Sequence, residues 1–282
     1  MQYLAPLDLD SALEAMAQRA WTVLAGGTDF YPARVGLPVN EPVMDISRVR
    51  NLRGITVTDD DYRIGALTRW SDIRDADLPR CFDGLRLAAR EVGAVQVQNA
   101  GTIAGNLCNA SPAADGIPPL LTLNASVELT ARTGRRVIPL TDFLTGYRQT
   151  DLRPGELLTA VIVPRRGEDS FTDFSKLGSR AYLVISIVMV ASFIETSAEG
   201  IITGARLAVG ACSPVAQRLP ELEAALVGAH LTDDLEQFVR MDYLAPLSPI
   251  DDVRATAAYR RDAALTLLRR SIRKLLSQAD DA

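Results

Sequence analysis

Two glycine-rich segments carry the residues best placed to do chemistry. In the first, Ala25-Gly26-Gly27-Thr28-Asp29 follows the apolar Val23-Leu24 and precedes Phe30. Glycines at such a strand-to-helix bend let several backbone N–H groups converge with no side chain in the way, which is how a chain cradles a phosphate. A tight turn that only needs glycine's backbone freedom has the same composition, and the pentapeptide matches neither a Walker loop nor the GxGxxG fingerprint. The second segment, Gln98-Asn99-Ala100-Gly101-Thr102-Ile103-Ala104-Gly105-Asn106, continues through Ser111-Pro112-Ala113-Ala114-Asp115-Gly116. Gly101 and Gly105 permit close backbone approach, Thr102 and Asn106 add polar side chains, and Asp115 can accept hydrogen bonds from ribose hydroxyls or a flavin donor. Two such bends could hold the two phosphates of a dinucleotide. The competing reading is an Ω-like loop satisfied by its own Asn, Thr and Ser groups.

Other chemistries find little support. Cys81, Cys108 and Cys212 are scattered and odd in number, as for reduced structural thiols rather than a disulfide framework. With a single histidine, His230, they do not supply the usual ligands of an iron–sulfur centre, and neither a zinc site nor a Ser-His-Asp arrangement is expected. His230, within Gly228-Ala229-His230-Leu231, reads as a helix-end or surface residue. A net charge of −5, with basic residues spread along the chain, argues against nucleic acid as a partner. No apolar run reaches the roughly 20 residues of a membrane-spanning helix. Asp8, Asp10 and Glu14 are unlike a secretory signal, so a cytoplasmic location is expected.

The 282 residues, 48% hydrophobic, suffice for two or three packed units. Ser11-Ala12-Leu13-Glu14 has capping-box spacing, and Leu13, Met16, Ala17 and Ala20 share one helical face. A strand at Thr22 to Ala25, a helix over Phe30 to Val35 with Pro32 in its first turn, and a strand at Pro42 to Ile46 make a βαβ-like unit, for which parallel pairing is natural. Asp29 reads as that helix's N-cap. From Arg53 an α+β pattern takes over. Hairpins are expected across Asp59-Asp60-Asp61 and Thr133-Gly134, a helix over Leu85 to Val92, and a closing strand from Leu157 to Val163. Beyond Pro164, β-rich runs at Leu183 to Ile194 and Ile201 to Ala211 face each other across Ala198-Glu199-Gly200. A last helix spans Arg254 to Ser277, with Leu265, Leu268, Ile272 and Leu275 or Leu276 as its apolar stripe and Arg269, Arg270, Arg273 and Lys274 on a solvated face.

Ala25 to Asp29, Asn99 to Asp115 and Phe174-Ser175-Lys176-Leu177-Gly178-Ser179-Arg180 together resemble the FAD-binding medium subunits of molybdenum hydroxylases such as carbon monoxide dehydrogenase and bacterial xanthine dehydrogenase. The likeness extends to Asp252-Val253-Arg254-Ala255 and Tyr259-Arg260. It implies an α+β fold: two FAD-binding α+β subdomains, residues 1–52 and 53–168, followed by a C-terminal domain of antiparallel sheet plus helices, 169–282. It also implies FAD contacts from Val23, Leu24, Ala25, Gly26, Gly27, Thr28, Asp29 and Phe30, and from Gly101, Thr102, Ile103, Ala104, Gly105 and Asn106. Val92, Ala114, Asp115, Leu158 and Lys176 match further contact positions. Lys176 would neutralise phosphate or stabilise negative charge on reduced flavin; otherwise it is a surface lysine beside a strand. Gln98 stands where many members have arginine, and Ala104 where most have glycine, so one charge contact and some backbone freedom are absent.

The function so implied is electron transfer: the flavin would collect electrons from [2Fe-2S] clusters of a small partner subunit and pass them to an external acceptor. A large partner subunit with a molybdenum cofactor would oxidise the substrate. The rivals are a self-contained flavin oxidoreductase with its own substrate site, and a non-catalytic scaffold whose glycine bends are only turns.

Overall fold

The computed structural model describes residues 2–165 and 170–280. The chain forms two compact units, each assembled from three stretches. The first comprises Met1–Ile73, Val95–Ala110 and Ala125–Arg165, the second Arg74–Ala94, Ser111–Asn124 and Arg166–Ala282. The expected boundary at 168/169 lies outside the described residues.

The first unit holds a small parallel sheet of β1 (Tyr3–Leu4), β2 (Thr22–Leu24) and β3 (Val43–Asp45), in the order β1-β3-β2. The parallel β2–β3 pairing is as expected, whereas β1 was not foreseen; two residues are too few to show an alternation. The helix Leu9–Gln18 starts earlier than the capping box suggests, because the Asp8 carboxylate is its N-cap and accepts from the Ser11 N–H at 2.8 Å. Ala12 and Leu13 are buried against Met44, Ile46 and Val49, but Ala17 and Ala20 are exposed, so the apolar stripe is narrower than expected. No helix forms after the first glycine bend. Pro32–Arg34 is a single 3-10 turn with no buried residue, bracketed by Gly27 and Gly36 at φ +70° and +76°, so no apolar face stabilises further turns.

An antiparallel sheet completes this unit. β4 (Ile55–Val57) and β5 (Asp61–Gly65) form the first expected hairpin, and β6 (Ser126–Ala131) and β7 (Gly134–Pro139) form the second. After a small separate hairpin, β8 (Leu144–Gly146) and β9 (Gln149–Thr150), the chain returns as β10 (Leu157–Pro164), giving the order β4-β5-β10-β6-β7. Ile64, Val161 and Val127 stand in one cross-strand row and are all fully buried. Each such side chain stabilises the sheet by roughly 1.5–3 kcal/mol.

The second unit is an antiparallel meander of β11 (Ser170–Leu177), β12 (Val188–Thr196), β13 (Ile202–Gly210) and β14 (Gln217–Arg218). The run expected to pair from Leu183 begins pairing only at Val188; Leu183 itself sits at φ +55° in a bend. Strand alternation splits β11 between two faces. Phe171 and Leu177 face a core with Leu268, Ile272 and Leu275 of the C-terminal helix Ala257–Asp280. Phe174 faces Ala88 of the helix Asp83–Glu91. Lys176 shares the Phe174 face. The C-terminal basic residues are largely engaged rather than simply solvated: Arg273 pairs with Glu236, Lys274 with Asp173, and Arg269 donates to the Val239 carbonyl. Among the described residues no helix is long and apolar enough to cross a membrane.

Candidate functional site

In the first unit the two glycine bends meet. A Cβ on Gly26 would lie 2.1 Å from the Ala100 carbonyl oxygen, so close approach requires glycine there, and one on Gly101 would be crowded by the Val97 carbonyl oxygen at 3.0 Å and Thr28 Oγ1 at 3.3 Å. The first bend leaves its donors open. No hydrogen bond within the described chain uses the N–H of Gly26, Gly27, Thr28, Asp29 or Phe30, while the Gly27 and Asp29 carbonyls accept from Tyr31 and Ala33. Consecutive unengaged amides in a glycine bend suit an anion.

The second bend behaves differently. The N–H groups of Ile103 and Ala104 are committed to the Thr68 and Ala66 carbonyls, and that of Gly105 to Thr102 Oγ1, which caps the helix Ile103–Asn109. What this bend offers is an acceptor. Asn106 Oδ1 is buried and has no partner among the described residues. Leaving such a group unsatisfied costs about 1–3 kcal/mol, which a ligand donor would offset. An open row of amides on one bend and an orphaned acceptor on the other fit a ligand carrying both an anionic group and hydrogen-bond donors, as FAD does.

Asp29 is not a helix cap. With no helix formed, its carboxylate instead lies 3.4 Å from Arg148 Nη1, and that guanidinium also bonds Asn109 Oδ1 at 2.7 Å. Arg148, unforeseen from the sequence, thereby braces the bend. Phe30 stacks beneath the Arg34 guanidinium at 3.9 Å. Val23 and Leu24 lie in or at the end of β2, and Leu158 is buried in β10. Ala25, Gly26, Asn99 and Ala100, together with Arg48, Arg50 and Arg69, line a cleft of about 880 Å³.

In the second unit, Lys176 is not a surface lysine. Its side chain is 6% exposed, with Nζ 2.7 Å from Asp115 Oδ2 and 3.1 Å from the Glu91 carbonyl. Asp115 Oδ1 accepts from Ser186 Oγ at 2.8 Å, so both carboxylate oxygens are engaged. Burial pushes the Asp115 carboxyl above the usual carboxylate range, and Lys176 only partly opposes this. Val92 follows Glu91 directly as the C-cap of its helix, and Ala114 is buried next to Asp115. The structure thus brings Glu91, Val92, Ala114, Asp115 and Lys176 together. Ser186 was missed, because a serine 71 residues from its partner leaves no local signal.

Among the described residues Cys81 and Cys212 are buried and Cys108 is exposed, and none of the three is in a disulfide. His230 lies at an isolated bridge to Ile201 rather than at a helix end, with Nε2 2.7 Å from the Glu199 carbonyl. No group of metal-ligating residues occurs among the described residues.

Residues 1–166 match the model of the FAD binding domain in molybdopterin dehydrogenase, and residues 174–275 that of the CO dehydrogenase flavoprotein C-terminal domain. The glyceraldehyde dehydrogenase medium chain of Sulfolobus acidocaldarius is 32% identical over 258 residues, covering 89% of either chain. The nicotinate dehydrogenase FAD-subunit of Eubacterium barkeri is 33% identical over 74% of this chain and 73% of its own. Among solved structures, a chain of carbon monoxide dehydrogenase from Hydrogenophaga pseudoflava superposes with a TM-score of 0.90 at 27% identity, covering 98% of this chain and 97% of that one. Because the first model spans more than half of the sequence and the second most of the rest, the chain belongs to the FAD-binding flavoprotein family of the molybdopterin dehydrogenases.

Proposed function

We propose that this chain is the electron-transfer flavoprotein subunit of a cytoplasmic molybdenum hydroxylase complex. It would receive electrons from the iron–sulfur clusters of a small subunit, reduced in turn by a large subunit with a molybdenum cofactor, and deliver them to an external acceptor. The observation that carries the reading is the run of unengaged amides from Gly26 to Phe30, set against Ala100 and Gly101 of the second bend, which also holds the orphaned Asn106 Oδ1. Relatives named as medium chains and FAD-subunits of dehydrogenases support the assembly.

In this reading Val23 to Phe30 and Gly101 to Asn106 hold the pyrophosphate and its neighbours. Leu158, Val92 and Ala114 supply apolar surface, Asp115 accepts from a ribose hydroxyl, and Lys176 favours the ionised form of that carboxylate and orients it. FAD supplies a carrier that fills and empties one electron at a time and can release a pair. The protein's part is to bind and orient it. Residues 1–52, 53–168 and 169–282 serve as two FAD-binding subdomains and a C-terminal domain.

The test is the purified chain alone and with its partners. A flavin absorption spectrum that bleaches on substrate addition only when both partner subunits are present is the expected result. A colourless chain that takes up no FAD, or turnover of a small organic substrate by the chain alone, sinks the proposal.

A further inference from the structure

The Asp115–Lys176 pair rests on a support that runs to the C-terminal helix. Arg260, in the first turn of Ala257–Asp280, is 3% exposed. Its Nη1 donates to the Ile187 carbonyl at 2.6 Å and to the Ala211 carbonyl at 3.0 Å, and its Nη2 to Asp252 Oδ1 at 2.7 Å. Both carbonyls lead back to Asp115. Ile187 follows Ser186, whose hydroxyl holds Asp115 Oδ1, and the Ile187 N–H bonds the Leu177 carbonyl at 2.8 Å, one residue from Lys176. Ala211 donates its own N–H to the Pro112 carbonyl at 2.9 Å, three residues before Asp115.

This arrangement is costly for a merely structural one. Arg260 Nε is buried with no partner in the described chain, and Ala211 sits at φ +62°, a conformation that L side chains rarely adopt. A buried ion pair often stabilises no more than a well-packed apolar side chain of equal volume. What a guanidinium can do, and an apolar residue cannot, is fix two carbonyls in one geometry.

We infer that Arg260, anchored by Asp252, is the positioning residue for the Asp115–Lys176 pair, holding Ser186 and the Pro112–Asp115 segment in register for FAD. The inference rests on the proposed FAD contacts of Asp115 and Lys176. Arg260 itself touches neither.

The experiment is a double-mutant cycle on the full chain stripped of flavin, reading the FAD dissociation constant from flavin fluorescence. Arg260→Met and Ser186→Ala are each expected to weaken FAD about tenfold, the size of one lost polar contact. Acting through the same contact, the double variant is expected to be no weaker than the worse single variant. Arg218→Met, which removes the Arg218–Glu223 pair elsewhere in this unit, should stay within about twofold of wild type. If Arg260→Met does not fold, Asp252→Asn replaces it in the same cycle. Additive effects, or unchanged FAD affinity in a folded Arg260 or Asp252 variant, overturn the inference. Asp115→Asn separates the two levels: if it leaves FAD affinity unchanged, the site reading fails; if it weakens FAD while the cycle is additive, only the positioning role fails.

Discussion

Replacing Gly26 by alanine adds one methyl group at the point where the two bends touch. The new Cβ would fall 2.1 Å from the Ala100 oxygen, 2.8 Å from its carbonyl carbon and 2.9 Å from Gly101 Cα, all backbone atoms that cannot rotate away. Ordinary non-bonded separations are about 3.5 Å, so the bends must part by about 1 Å. Overpacking of this kind costs about 1–3 kcal/mol in stability. The same movement displaces the open amides from the second bend, and an anion held by several N–H groups loses roughly 1.5–3 kcal/mol for each charge-assisted bond released. We therefore expect FAD affinity to fall about 10- to 100-fold, measured by titrating flavin-free protein, with a parallel loss in urea unfolding. Gly105→Ala is the contrast, since its Cβ would meet only Thr102 Oγ1 at 2.9 Å, a hydroxyl able to rotate at the expense of a cap. It should cost about 1 kcal/mol and a few-fold in affinity. Gly26→Ala protein binding FAD within twofold of wild type would refute the reasoning.

Asn106→Leu removes a buried acceptor with no internal partner, so the flavin-free chain should unfold at the same or higher urea concentration while FAD binding weakens about tenfold; a loss of stability instead would mean the amide is already satisfied. Lys176→Met leaves the buried Asp115 carboxylate uncompensated and should cost about 3–5 kcal/mol at neutral pH. Because the folded-state pKa of Asp115 is raised, protonation favours the folded form, so this penalty should shrink as pH falls and vanish in the Lys176→Met/Asp115→Asn double variant, checked by unfolding at several pH values. Burial pushes the Cys212 thiol from 9.0 up to about 11. Between those values the unfolded chain has lost a proton that the folded chain retains, so stability declines as pH rises past 9; Cys212→Ala should flatten that limb of the pH–stability curve.

Elements whose signal is local were legible in the sequence. Both hairpins of the five-stranded sheet follow from turn residues between alternating strands, and β10 from the Pro154-Gly155 turn before an apolar run. The errors arise where burial and polarity part company. β11 reads Ser-Phe-Thr-Asp-Phe-Ser-Lys-Leu, five of its eight residues polar, yet Thr172 and Asp173 are buried because their groups find partners: Thr172 Oγ1 accepts from the Gly84 N–H, and Asp173 bonds Lys274. Conversely, Leu183 and Ile185 look like strand interior but are exposed, in a segment that lies outside β12, which begins at Val188.

The two parts of the candidate site make different demands on the sequence, and this decides which part could be read. Amide donation depends on a backbone path, and the only side-chain requirement is that none intrude; the glycines at 26 and 101 announce that directly, since a Cβ would strike Ala100 at one and crowd Val97 at the other. The buried pair needs the identities of particular residues far apart: Lys176 meets Asp115 across 61 positions, Ser186 meets it across 71, and Arg260 reaches Ile187 across 73. No periodicity encodes such separations. It follows that the bend should tolerate most substitutions that keep its glycines, Thr28 and Asp29 included. The ion pair should tolerate almost none except in compensating combinations, because a single change strands a charge in a buried setting.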